Sequence, residues 1–164
     1  MHTVGPVVID PELAAFIQGP ITMVFAFRDP LGWPTLGRAM GARPAPDGEA
    51  VDFFVGGGQW AYALEGVSVG SLVALTLADP RDYQAVQVKG VVAALSRATP
   101  EEKALASRYI DAAGAILQSV GTQPAQIAQW LDRTDPMTVV RFRLDAAFAQ
   151  TPGPKAGQPR VPAP

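Results

Sequence analysis

The chain has 164 residues, 48% of them apolar, with thirteen basic and fifteen acidic side chains and a formal net charge of −2. That length supports one domain with a sizeable core, and the lack of a basic excess disfavours nucleic acid and anionic membranes as partners. With no cysteine, and a single histidine at position 2, disulfides and a thiol nucleophile are excluded, and a histidine triad or a His or Cys zinc site is not expected. The N-terminus carries no basic stretch followed by an apolar core, and no apolar run is long enough to span a bilayer, so the expected location is cytoplasmic.

Asp10-Pro11-Glu12 opens a short amphipathic helix to about Gln18, because Asp caps free amides, Pro suits the first helical position and Gly19-Pro20 ends it. Ile21 to Phe27 reads as a strand, Asp29-Pro30-Leu31-Gly32 as a turn, and Thr35 to about Arg43 as a second strand, giving a hairpin. After the turn at Pro44 to Gly48, Val51 to Val55 is a third strand. Gly56-Gly57-Gly58 then breaks the chain before an expected helix from about Gln59 to Val67. Ser71 to Leu77, Gln84 to Leu95 and Thr138 to Phe148 supply three more strands. Six mainly antiparallel strands with helices predict a β+α fold, a six-stranded antiparallel split β-barrel.

Thr99-Pro100-Glu101-Glu102 combines an N-cap, a first-turn Pro and a Glu three residues past the cap, so a helix is expected to about Val120. Its apolar positions Leu105, Tyr109, Ala112, Ile116 and Val120 fit packing on the barrel, while Glu101, Glu102 and Lys103 read as a solvated helix start. A further helix is expected over about 124–132. Residues 1–150 form the expected single domain. Residues 151–164 form a Pro/Gly-rich tail, mobile unless a partner chain holds it.

The most informative segment for function follows the turn Asp79-Pro80-Arg81-Asp82-Tyr83. In the strand after it, Gln87 and Lys89 take one parity and Val86 and Val88 the other. A Gln and a Lys side by side suit an anionic or amide-bearing ligand, and they equally suit a solvated or dimer-facing strand. Arg38 and Arg43 form either a phosphate site, since guanidinium groups match phosphate geometry, or a pair of salt bridges. Their odd spacing places them on opposite faces of a regular strand. A bulge at Gly41 would restore a common side and let a flat ring approach the backbone. The glycine run 56–58 reads as a simple turn or as amides presented to an anion at a helix start. Phe25, Phe27, Phe53 and Phe54 read as core or interface, and Glu65 and Asp145 have no spacing that suggests an acid/base pair.

The strand order, Gln87-Val88-Lys89-Gly90 and Gln150-Thr151-Pro152-Gly153-Pro154 together resemble the pyridoxamine 5'-phosphate oxidase-related split-barrel family over roughly Ile21 to Pro154. Asp29-Pro30-Leu31-Gly32-Trp33-Pro34 is similar to that family's acidic-x-x-Gly-x-Pro hairpin. Arg38-Ala39-Met40-Gly41-Ala42-Arg43 is similar to its Arg-x-x-x-x-Lys motif, with Arg43 in place of Lys. The resemblance implies a homodimer binding FMN between subunits. It implies Arg38 and Arg43 at the flavin phosphate and ring, Gln87 at the isoalloxazine edge and Lys89 where the family has a basic residue. The oxidases' Ser-Arg-Lys phosphate clamp is replaced by Gln59-Trp60-Ala61, and no Arg-x-His element follows Gln150, so a true pyridoxamine phosphate oxidase is not expected. Trp60 then stacks on a ring or packs in a dimer interface.

The expected function is therefore an FMN-binding flavoprotein of oxidoreductase type acting on a small-molecule substrate. A flavin carrier or sensor remains open. The alternative is a dimeric split-barrel binding or interaction module that has lost its cofactor. A deazaflavin or a haem in the same cleft is a further alternative, the haem weakened by the lone terminal histidine.

Overall fold

The computed structural model describes residues 7–160, so the histidine at position 2 and the last four residues of the tail lie outside the described residues. The sheet is built from β1 (Thr22–Arg28), β2 (Pro34–Arg38), β3 (Ala42–Pro44), β4 (Ala50–Val55), β5 (Leu72–Ala78), β6 (Ala85–Arg97) and β7 (Thr138–Ala149). Its order is β2-β1-β5-β6-β7-β4-β3, with every pairing antiparallel. The end strands β2 and β3 are two halves of one bent chain segment. The Ala39 amide donates to Met23 O at 3.1 Å, on the β1 side, and the next amide, Met40, donates to Phe54 O at 2.7 Å, on the β4 side. The seven strand segments thus correspond to the six expected strands, the second being bent in the middle.

The bend is a β-bulge. Phe54 accepts from Met40 and donates to Gly41 O at 3.0 Å, so two residues oppose one. Gly41 has φ +108, and an added Cβ would lie 3.1 Å from Tyr109 Cβ, so both backbone and space call for glycine. The bulge corrects parity in the way the sequence required: Ala39 and Ala42 face the barrel interior, whereas Met40 enters a second cluster outside it.

Alternation fills the interior. Phe25 and Phe27 from β1, Phe53 from β4 and Phe142 from β7 meet at centroid separations of 5.3 to 6.4 Å. The four aromatic residues expected in the core or an interface are all buried, Phe54 in a second, outer core cluster with Met40, Ala106, Ile110 and Met137. That cluster is covered by α2 (Pro100–Ser119), whose Thr99 and Glu102 form the expected capping box. The buried face of α2 is Ala106, Ile110, Ala113 and Leu117, rotated by about one residue from the expected stripe. Val120 is exposed. The start of α2 is not merely solvated, since Glu102 pairs with Arg43 and Lys103 with Asp135. The short helices α1 (Pro11–Ile17) and α3 (Pro124–Trp130) lie where expected.

Two expectations are corrected. No α-helix follows the glycine run; a single 3-10 turn, Ala61–Leu64, stands in place of a helix over 59–67. The described part of the tail, residues 151–160, is also held by the chain itself. The Ala149 amide donates to Gln158 O at 2.9 Å, the Arg160 amide to Ala147 O at 2.8 Å, and the Arg160 guanidinium reaches Asp10 at 2.6 and 3.1 Å and Glu12 at 3.0 Å. Asp10 simultaneously caps α1 by accepting from the Leu13 amide. Arg160→Ala removes charge-assisted bonds of about 1.5–3 kcal/mol together and frees the segment. Trypsin cleavage after Lys155 is expected to accelerate in the variant. An unchanged cleavage rate would show that the strand-like backbone bonds alone secure the tail.

Candidate functional site

Cross-strand register assembles a polar-ended row on the outer face of the barrel. Arg38 pairs with Val24, Val24 with Thr76, Thr76 with Gln87 and Gln87 with Phe148, across β2, β1, β5, β6 and β7. The adjacent row on the same face runs Leu36, Ala26, Ala74, Lys89 and Ala146. All ten side chains are partly or fully exposed, while their neighbours Phe25, Leu75, Val88 and Ala147 are buried inside. Val24, Ala26, Ala74 and Thr76 in the middle leave little side-chain bulk between Arg38 and Gln87. Arg38 and Gln87 stand about 14 Å apart, three strand spacings.

Arg38 is half-buried, and among the described residues its guanidinium forms no ion pair and no hydrogen bond. It lies 4.5 Å over the Trp130 ring. Burial lowers its pKa from the ordinary arginine value, with Tyr109 acting weakly in the opposite sense. Tyr109 itself is buried enough that its phenol is held well above the ordinary range, and it donates to Ile21 O at 2.5 Å. Trp130 ends α3, and its carbonyl accepts from Trp60 Nε1 at 3.0 Å. Trp60 therefore anchors the segment that carries Arg38's aromatic support.

Gln87 donates from Nε2 to Thr76 Oγ1 at 2.9 Å, which fixes the amide plane, and its Oε1 has no donor among the described residues. Lys89 is exposed, with its ammonium 5.1 Å over the Phe148 ring. Three residues singled out from the sequence, Arg38, Gln87 and Lys89, thus share one face.

Arg43 is on the outer side too, past the bulge, but it serves the fold. Its Nε lies 3.3 Å from Asp52 and its Nη2 2.7 Å from Glu102. Asp52 is fully buried and also receives Arg141 at 2.7 and 3.0 Å. For Arg43 the salt-bridge reading holds.

The glycine run is a packing device rather than an anion cradle. The Gly57 amide donates to Thr134 O at 2.6 Å and the Gly58 amide to Asp132 Oδ2 at 2.9 Å. A Cβ on Gly56, Gly57 or Gly58 would come within 2.5 to 2.6 Å of the segment Asp132 to Pro136. Those amides are already used. Residues that the sequence did not single out are Thr76, Phe148 and Trp130; an extended pairing register would have placed the first two beside Gln87.

Among the described residues no group of three or more His, Cys, Asp or Glu side chains is arranged to hold a metal ion. No described helix is long and apolar enough to cross a membrane.

No family model and no curated protein matches the chain. Among solved structures, it is similar to a protein of Lactobacillus delbrueckii described as a "putative pyridoxamine 5'-phosphate oxidase", with TM-score 0.54 and 19% identity, covering 91% of this chain and 100% of that one. It is also similar to HupZ of Group A Streptococcus, with TM-score 0.51 and 17% identity, covering 91% of this chain and 99% of that one. At such identities the likeness is one of fold. The fold is the split barrel of the pyridoxamine 5'-phosphate oxidase-related type.

Proposed function

We propose that this split barrel binds FMN on its outer sheet face and works as a flavin-dependent oxidoreductase on a small-molecule substrate. The observation that carries the reading is Arg38. A half-buried guanidinium without a carboxylate, braced on Trp130, is costly unless an anion completes it. The Gln87 Oε1 at the other end of the row suits the ring-edge N–H of an isoalloxazine. The small side chains of Val24, Ala26 and Ala74 let a flat ring lie close to the sheet. When bound, the flavin would supply hydride or single-electron transfer, and the chain's own part is to orient it and shield it from water. Lys89 is placed beside Gln87 to meet negative charge on the ring edge.

The face carries exposed Leu36 and Leu72, so we also propose that a second copy covers it, forming a homodimer with a flavin at each edge of the interface. Purified protein mixed with FMN and passed through gel filtration is expected to retain flavin absorption bands, to bleach with NADH or NADPH, and to show a dimer mass by light scattering. A colourless protein would favour the second reading, a dimeric binding module without cofactor. That reading is motivated by the internal use of the Gly57 and Gly58 amides and by Gln59-Trp60-Ala61 at the place of the clamp.

A further inference from the structure

The number of free positive charges that one chain brings to the Arg38 end of the row limits the anion which that chain neutralises by itself. Among the described residues, five other cations of this chain bear on that number. Arg43 is neutralised by Asp52 and Glu102, and Arg141 by the same Asp52. Arg108 lines a separate groove with Gln18, Arg43 and Tyr109 that does not include Arg38. Arg28 is four residues along β1 from Arg38's partner Val24, about 13 Å away, and its Nε is turned to Gly32 O at 3.4 Å. Lys89 is in the adjacent row, on the far side of the face. The backbone offers no substitute, because the Gly57 and Gly58 amides are bonded to Thr134 and Asp132. From α2 the titratable group acting on Arg38 is the neutral Tyr109 phenol, and from α3 its neighbour is the uncharged Trp130.

One fixed charge in a half-buried setting discriminates between anions. Attraction to it grows in proportion to the anion's charge, whereas the cost of taking that anion out of water grows with the square of the charge. A site with a clamp of several cations repays the larger cost, and a single guanidinium does not. Resting on the flavin reading above, we propose that the group seated at Arg38 is a singly charged phosphate, so that the site takes FMN as its monoanion and accepts a flavin 5'-phosphodiester equally well.

The test is equilibrium binding of riboflavin, FMN and the monomethyl phosphate ester of FMN to the full chain and to Arg38→Ala, read by flavin fluorescence. At about pH 8, where the FMN phosphate is a dianion, the ester is expected to bind within about threefold of FMN or more tightly. The advantage of FMN over riboflavin is expected to shrink from about pH 5 to about pH 8. Arg38→Ala is expected to bring all three ligands to the riboflavin affinity. An ester about tenfold weaker than FMN, with the FMN advantage growing as pH rises, overturns the inference while leaving the flavin reading intact. Failure of riboflavin, FMN and the ester alike removes the flavin reading, and this inference with it. Retention of the FMN advantage in Arg38→Ala places the phosphate elsewhere and also overturns it.

Discussion

Asp52→Asn is expected to lower stability by about 3–5 kcal/mol, because it leaves two partly buried arginines facing a neutral amide at a fully buried position. Asp52 is fully buried, accepts from Arg141 Nε at 2.7 Å and Nη2 at 3.0 Å, and lies 3.3 Å from Arg43 Nε. Its hydrogen bond with Arg141 raises the arginine's pKa, which is the same attraction seen from the other partner. Three strands converge on this one carboxylate, β3, β4 and β7, and Glu102 adds α2 through Arg43. The network therefore closes the barrel where the bulge has bent the strand. Arg43→Ala leaves the Asp52–Arg141 pair in place and is expected to cost less than Asp52→Asn. Urea midpoints decide the matter: a loss below about 1 kcal/mol for Asp52→Asn would mean that the pair is hydrated and does not close the barrel. Neither variant is expected to alter flavin affinity per folded molecule, since neither residue lies in the Arg38 row.

Gly90→Ala is expected to be as damaging, for a steric reason. A Cβ there would lie 1.8 Å from the Arg143 carbonyl oxygen and 3.0 Å from the Phe142 ring. β6 and β7 approach this closely at the register shift between Lys89 and Gly90, where Lys89 faces Ala146 and Gly90 faces Leu144, leaving Asp145 as the extra residue. The obstacle is backbone, so no rotamer change relieves it, and the expected loss is about 3 kcal/mol or more. Flavin binding should fall with it, because the same bulge sets Gln87 and Lys89 against Phe148. A variant with native melting and unchanged binding would show that the two strands slide apart at little cost.

Much of the fold is legible in the sequence because local signals agree. Strand alternation, turn chemistry at Asp29 to Gly32 and the capping box at Thr99 each coincide with the observed element. The ion-pair role of Arg43 was also readable: Arg43 and Asp52 flank the turn at 45–50 symmetrically, and an Asp within the apolar run Ala50–Val55 demands a partner. What local pattern cannot show is long-range occupancy. The glycine run at 56–58 looks free until the segment from Asp132 to Pro136, some eighty residues later, is packed against it. The expected helix after it gives way to a short turn, with the Trp60 indole tied to Trp130 O. The tail is polar and rich in Pro and Gly, yet Arg160 finds Asp10 at the opposite end of the chain. The candidate site is intermediate. Parity alone put Gln87 and Lys89 on one face, whereas bringing Arg38 to that face required the pairing order β2-β1-β5-β6, which no single segment encodes.

The most direct measurement is a fluorescence titration of FMN into the wild-type chain and Arg38→Ala, with melting curves to confirm that both are folded. Loss of one charge-assisted contact is expected to weaken binding by about 10- to 100-fold, the equivalent of about 1.5–3 kcal/mol. Equal affinity in the two folded proteins would contradict the placement of the flavin on this face.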